Sequence, residues 1–153
     1  MHIAEIFRKE FIIEDLKAKN KRGVLTELSG IFTLGPAKVD SKLMVDVLME
    51  REKLGSTGIG DGIAIPHGKL KGLDTLLLSF GRSREGVDFE SIDGKPVHLF
   101  FLLMAPESST GQHLKALAKI SRMLKDERFR SELMSARSAE DLFKTIAEKD
   151  ETY

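Results

Sequence analysis

The chain of 153 residues contains no cysteine. That excludes a disulfide scaffold, a cysteine nucleophile and a thiolate metal site, and it suits a reducing cytoplasm. Net charge is also missing, because 24 Lys and Arg stand against 24 Asp and Glu. The balance holds locally, with segments 1–30, 31–80, 81–120 and 121–153 each within one charge of neutrality. This argues against a nucleic-acid partner gripped by a broad basic face, and against a polybasic membrane anchor. The longest apolar run, 99–105, is about a third of the ~20 residues a membrane-spanning helix needs. It is long enough for a buried strand, so no membrane insertion is expected. The opening residues carry acidic groups early and no apolar core, which is not a signal-peptide pattern. Repeats, low-complexity tracts and domain-separating linkers are absent too, so one domain over 1–153 is expected. A chain of this mass buries about 69% of its unfolded surface, enough for a core without a metal or disulfide.

What is present alternates between strand and helix signals. Residues 11–16 are rich in β-formers and too few for a helix, which predicts a first strand. Asn20 is placed to cap a helix whose apolar positions are Val24, Leu25, Leu28, Ile31 and Phe32, ended by Gly35-Pro36. Asp40 caps a second, with the stripe Leu43, Met44, Val47, Leu48 and with Arg51 near its end. Residues 73–80 and 97–104 read as buried strands, separated by turns at Gly86 and Asp93-Gly94 with a short edge strand around Val87. Three helices then follow. The first carries Leu114, Leu117, Ile120 and Leu124, the second is capped by Asp126, and the third opens with the capping box Ser138 and Asp141. This order implies an α/β three-layer sandwich, with a central mixed sheet flanked by helices on both faces.

The chemistry concentrates in one place. Residues 55–62 hold 4 of the 13 glycines, a density that a tight loop with unusual backbone angles requires. Such a loop can bring backbone N–H groups close to an anion. As a nucleotide motif it fails, since Asp61-Gly62 occupies the place of Lys and Ser/Thr in a P-loop, and the dinucleotide glycine spacing is broken. His67 follows directly, held in extended backbone between Pro66 and Gly68. His113 opens a helix after a polar loop; taken alone it reads as a solvent-facing residue. His98 lies in an apolar strand and reads as a structural residue, and His2 is assigned nothing. No His-Glu-x-x-His motif or close histidine pair is present, so no metal is expected, and a Gly-x-Ser-x-Gly hydrolase elbow is missing.

The run Gly55-Ser56-Thr57-Gly58-Ile59-Gly60, followed by Ile63-Ala64-Ile65-Pro66-His67-Gly68-Lys69 and preceded by Arg51, closely resembles a known signature. It is that of the enzyme IIA domains of the bacterial phosphoenolpyruvate phosphotransferase system, in the fructose/mannitol class, and within it the nitrogen-regulatory branch. The resemblance extends over about residues 5–148 in element order. It implies that His67 is phosphorylated at Nε2, that His113 is a second active-site histidine, and that Arg51 lies near the site. Family members often carry Asp in the strand where this chain has His98.

Physical chemistry suits that role. An imidazole, with an ordinary pKa of about 6.5, offers a lone pair at neutral pH without a separate base. A loose phosphoryl-transfer transition state needs donors for its equatorial oxygens. The candidates are Ser56, Thr57, Gly58 and Gly60 as phosphoryl-binding groups, His113 as stabiliser and Arg51 as added charge. No cofactor, metal or nucleotide is required at this step. The implied donor is a histidine-phosphocarrier protein. The phosphate then serves either as a switch on a regulated kinase or transporter protein, or as cargo for a fructose/mannitol-type transporter subunit. A non-catalytic binding module is the remaining alternative.

Overall fold

The computed structural model describes residues 2–153. Six strands, β1 (Phe7–Ile13), β2 (Gly58–Gly60), β3 (Ile63–Ala64), β4 (His67–Leu70), β5 (Leu77–Val87) and β6 (Val97–Pro106), form one sheet in the order β1-β5-β6-β3-β2. β4 pairs β6 beyond the end of β3. The sheet is mixed: β1 runs parallel to β5, β5 antiparallel to β6, and β3 and β4 parallel to β6. Among the described residues five α-helices accompany it: α1 (Lys21–Gly30), α2 (Ser41–Glu52), α3 (Thr110–Leu124), α4 (Glu127–Ser135) and α5 (Ala139–Glu151).

Alternation along β5 assigns the helices to two faces, because successive side chains point to opposite sides. Ser79 donates to the Leu28 carbonyl in α1, 3.0 Å, whereas Arg82 donates to the Leu133 and Ala136 carbonyls at the end of α4, 2.8 and 2.7 Å. Gly81 shares the α1 side, where a Cβ would come within 2.9 Å of the Leu28 side chain, so glycine is the residue that lets the helix approach. The expected sandwich is therefore present. Arg82, which lies just past the strand expected over 73–80, is fully buried and donates to the orphan carbonyls of the α4 C-terminus.

Capping residues behave as expected. Asn20 accepts from Gly23 N–H, Asp40 from Leu43 N–H, Asp126 from Phe129 N–H and Ser138 from Asp141 N–H. The strands moved more. The first begins at Phe7 rather than at residue 11, and β5 runs from Leu77 straight through Gly86 to Val87. The expected turn and edge strand at Val87 are instead an irregularity in the β5–β6 pairing, where Gly86 (φ 92°) admits His98 and Pro96 against its bare Cα. In α2 the buried stripe is Met44, Val45 and Leu48, and Leu43 is exposed. In α3 it contains His113, Ala116, Ile120, Met123 and Leu124, and Leu114 is exposed. That rotation of α3 turns His113 inward.

The N-terminus is fastened by Asp150 in α5, which accepts from Ile3 and Ala4 N–H, 3.0 and 3.1 Å, and pairs with the buried Lys119 of α3 at 2.5 Å. No described helix is long and apolar enough to cross a membrane.

Candidate functional site

His67 opens β4 opposite Leu103 of β6. Its side chain therefore shares the sheet face of Leu103, toward α3. Its Nδ1 lies 2.7 Å from the Ile65 carbonyl, and since a carbonyl can only accept, Nδ1 carries the proton. Nε2 is left with its lone pair available. The ring of His113 packs edge-on against His67, with centroids 5.7 Å apart and planes at 77°. His113 is 6% exposed, and its Nε2 has no hydrogen-bond partner among the described residues. Burial, and after it the nearby charges of His67 and Lys69, hold the His113 pKa below the ordinary imidazole value. Burial thus favours the neutral form of His113, whose unbonded Nε2 belongs to the ring packed against His67.

Lys69 stands two residues along β4 from His67, on the same side, and donates to Thr110 Oγ1 at the start of α3, 2.7 Å. With the N–H groups of the α3 first turn it makes this wall electropositive. Arg51, in the last turn of α2, donates to the Gly55 carbonyl, 3.0 Å. It lines a cavity of about 180 Å³ together with Ser56, Thr57, Ile59, Ile65 and His67. A larger, shallow depression of about 480 Å³ lies at the other end of β6, around Asp61, His98 and Arg130, away from both histidines of the pair. There His98 Nδ1 donates to the Ser83 carbonyl, 2.8 Å, which fits the structural role expected of it. Among the described residues no group of three or more His, Cys, Asp or Glu is placed to hold a metal ion.

The glycine-rich segment is built differently from a bare phosphate cradle. β2 and β3 form a hairpin turned by Asp61-Gly62, with φ 57° and 76°, the backbone an Asp-Gly pair favours in a two-residue hairpin. The Ser56 hydroxyl donates to the Phe89 carbonyl, 3.0 Å, and accepts from Gly58 N–H, 3.0 Å. Thr57 donates its N–H to Glu52 Oε1, 3.2 Å, and its hydroxyl to Glu52 Oε2 in a short hydrogen bond. Gly58 lets the Ser91 backbone approach, where a Cβ would meet it at 3.0 Å, and Gly60 (φ 98°) closes the hairpin opposite Ile63. Ser56, Thr57 and Gly58 thus spend on the protein the hydrogens expected to face a phosphoryl group. Lys69 and Glu52 were passed over as site candidates in the sequence; Lys69 carried a signal, being two residues from His67 in extended backbone.

A family model described as phosphoenolpyruvate-dependent sugar phosphotransferase system, EIIA 2, matches residues 5–149. The nitrogen regulatory protein of Bradyrhizobium diazoefficiens is 40% identical over 147 residues, which span 96% of this chain and 95% of that one. The fructose-specific EIIABC component of Bacillus subtilis is 36% identical over 150 residues, 98% of this chain and 24% of that protein. The crystal structure of nitrogen regulatory protein IIA-Ntr from Neisseria meningitidis has the same fold, with TM-score 0.86 and 36% identity over 94% of this chain and 98% of that one. By sequence over nearly its whole length, and by fold, the chain belongs to the EIIA 2 family of the phosphoenolpyruvate-dependent sugar phosphotransferase system.

Proposed function

We propose that this chain is a phosphohistidine carrier that takes a phosphoryl group onto His67 Nε2 from a histidine-phosphocarrier protein and acts as a phosphorylation-dependent regulator of the nitrogen type. The observation that carries this reading is the pairing of an imidazole whose Nδ1 faces a carbonyl, leaving Nε2 unprotonated, with a second, buried imidazole whose Nε2 is unpartnered. In the transfer, the lone pair of His67 Nε2 forms a bond to phosphorus as the bond from phosphorus to the donor's imidazole nitrogen breaks. The donor ring leaves with that electron pair. His67 becomes cationic as it bonds, and the Ile65 carbonyl stabilises that charge through Nδ1–H. In its Nε2–H tautomer His113 can donate to an equatorial oxygen, and Arg51, which lines the His67 cavity, supplies charge. The loop residues Ser56, Thr57, Gly58 and Gly60 act by holding the loop's shape.

A phosphoryl group adds about −1.5 to −2 charges. On a chain with formal net charge 0 that is a large change in the surrounding field, suited to making or breaking a contact with a kinase or transporter protein. The nitrogen-type reading is favoured over sugar relay because identity is higher to a nitrogen regulatory relative, 40% over 147 residues, than to a fructose-specific one, 36% over 150 residues. Incubation with phosphoenolpyruvate and the upstream carrier proteins is expected to give one acid-labile phosphate per chain. Labelling that survives in His67→Ala refutes the acceptor. Capture of partners with His67→Ala and His67→Asp then separates the two uses, since a sugar relay has no partner whose binding follows the charge.

A further inference from the structure

Glu52 is the last residue of α2, and its side chain is 3% exposed. A carboxylate at that position loses its water and sits at the negative end of a helix dipole, so two effects oppose it. Three donors offset them. They are the Lys21 ammonium at 3.0 Å, the Thr57 N–H at 3.2 Å and the Thr57 hydroxyl. Lys21 is itself largely buried, with its ammonium 5.0 Å from the centre of the Phe89 ring. Buried ion pairs are a weak source of stability, and apolar replacements of similar volume often do as well. Glu52 therefore calls for another reason, and its bonds supply one.

What Glu52 grips is Thr57, and Thr57 leads to His67. The Thr57 carbonyl accepts from Ile65 N–H, 3.1 Å, which closes the base of the β2–β3 hairpin. The Ile65 carbonyl accepts from His67 Nδ1–H, 2.7 Å. The intervening Pro66 is tied to β6 through its carbonyl, which accepts from Leu103 N–H, 2.9 Å. Glu52 does not line the His67 cavity, whereas Arg51 and Thr57 do. We propose that Glu52, anchored by Lys21, is a positioning residue: through Thr57 and the Ile65 carbonyl it fixes His67 in the Nδ1–H tautomer with Nε2 free. The proposal rests on His67 being the phosphoryl acceptor.

Two readouts on the full chain test it. Nitrogen-15 spectra of the His67 imidazole read the tautomer with no phosphoryl donor present. Initial rates with the phosphorylated histidine carrier separate kcat from KM. Glu52→Gln places an amide where only acceptors fit, and is expected to mix Nε2–H tautomer into His67, lower kcat by about 10- to 100-fold and leave KM for the carrier unchanged. Glu52→Asp is expected to recover part of the rate. Should Glu52→Gln fail to fold, Thr57→Val deletes one hydroxyl and is expected to show the same tautomer change with a smaller loss in rate. A folded variant whose His67 stays wholly Nδ1–H, with kcat unchanged, overturns the proposal. Absence of phosphate on the parent chain would sink the acceptor assignment instead, and the tautomer spectra would still decide what Glu52 does.

Discussion

Of the two walls that flank His67, the glycine-rich segment has the hydroxyls of Ser56 and Thr57 and the N–H groups of Thr57 and Gly58 bonded within the protein, whereas the first turn of α3 keeps one buried nitrogen unbonded. Ser56, Thr57 and Gly58 face Phe89, Glu52 and each other. His113 Nε2 faces no partner among the described residues. Glycine density marks where the backbone must turn sharply. An unpartnered buried polar nitrogen points to something else to be bound, because such a group costs about 1–3 kcal/mol if left unpaired. On the proposed reading the first wall holds geometry and the second meets the phosphoryl group.

Substitution on each wall breaks or sharpens that contrast. His113→Ala is expected to lower the rate of phosphorylation by about 10²- to 10³-fold, as loss of one transition-state donor does, with KM for the carrier unchanged. A loss below tenfold would move the phosphoryl-binding role back to the loop. Arg51→Lys keeps the charge and loses the fork that reaches the Gly55 carbonyl, and should cost about tenfold in rate. Ser56→Ala should leave the rate within about threefold while lowering unfolding free energy by about 1 kcal/mol, measured by urea denaturation. A large rate loss with unchanged stability would assign Ser56 to the phosphate after all.

The smallest effect is on pH dependence. Because the folded pKa of His113 is lowered, chiefly by burial, the unfolded chain binds its proton first as pH falls. Stability of the unphosphorylated protein should therefore decline as pH drops through the ordinary histidine value near ~6.5, and level off below the lowered folded value. His113→Gln should flatten that slope in urea titrations between pH 7 and acid. A slope that persists unchanged would place the titration elsewhere.

The sandwich and the helix caps were legible before the structure, because capping and apolar periodicity are local signals, and the motif that singles out His67 is local too. Burial of His113 was not: its helix stripe was read from Leu114 and Leu117, and tertiary packing turned the helix by about one residue, exposing Leu114. The hairpin hid in plain view, since Asp61-Gly62 is a strong turn signal that the glycine count overshadowed. Arg82 and the Lys21–Glu52 pair depend on contacts between distant segments, 51 and 54 residues apart for the Arg82 bonds to α4 and its end, which no local pattern carries.

On the proposed reading, phosphate rests on His67 Nε2 with the proton kept on Nδ1. Nitrogen-15 and phosphorus-31 spectra of the phosphorylated chain test it most directly. Coupling of phosphorus to His67 Nε2, with Nδ1 still protonated against the Ile65 carbonyl, is the predicted result. Phosphorus coupled to His67 Nδ1, or to either nitrogen of His113, would contradict it.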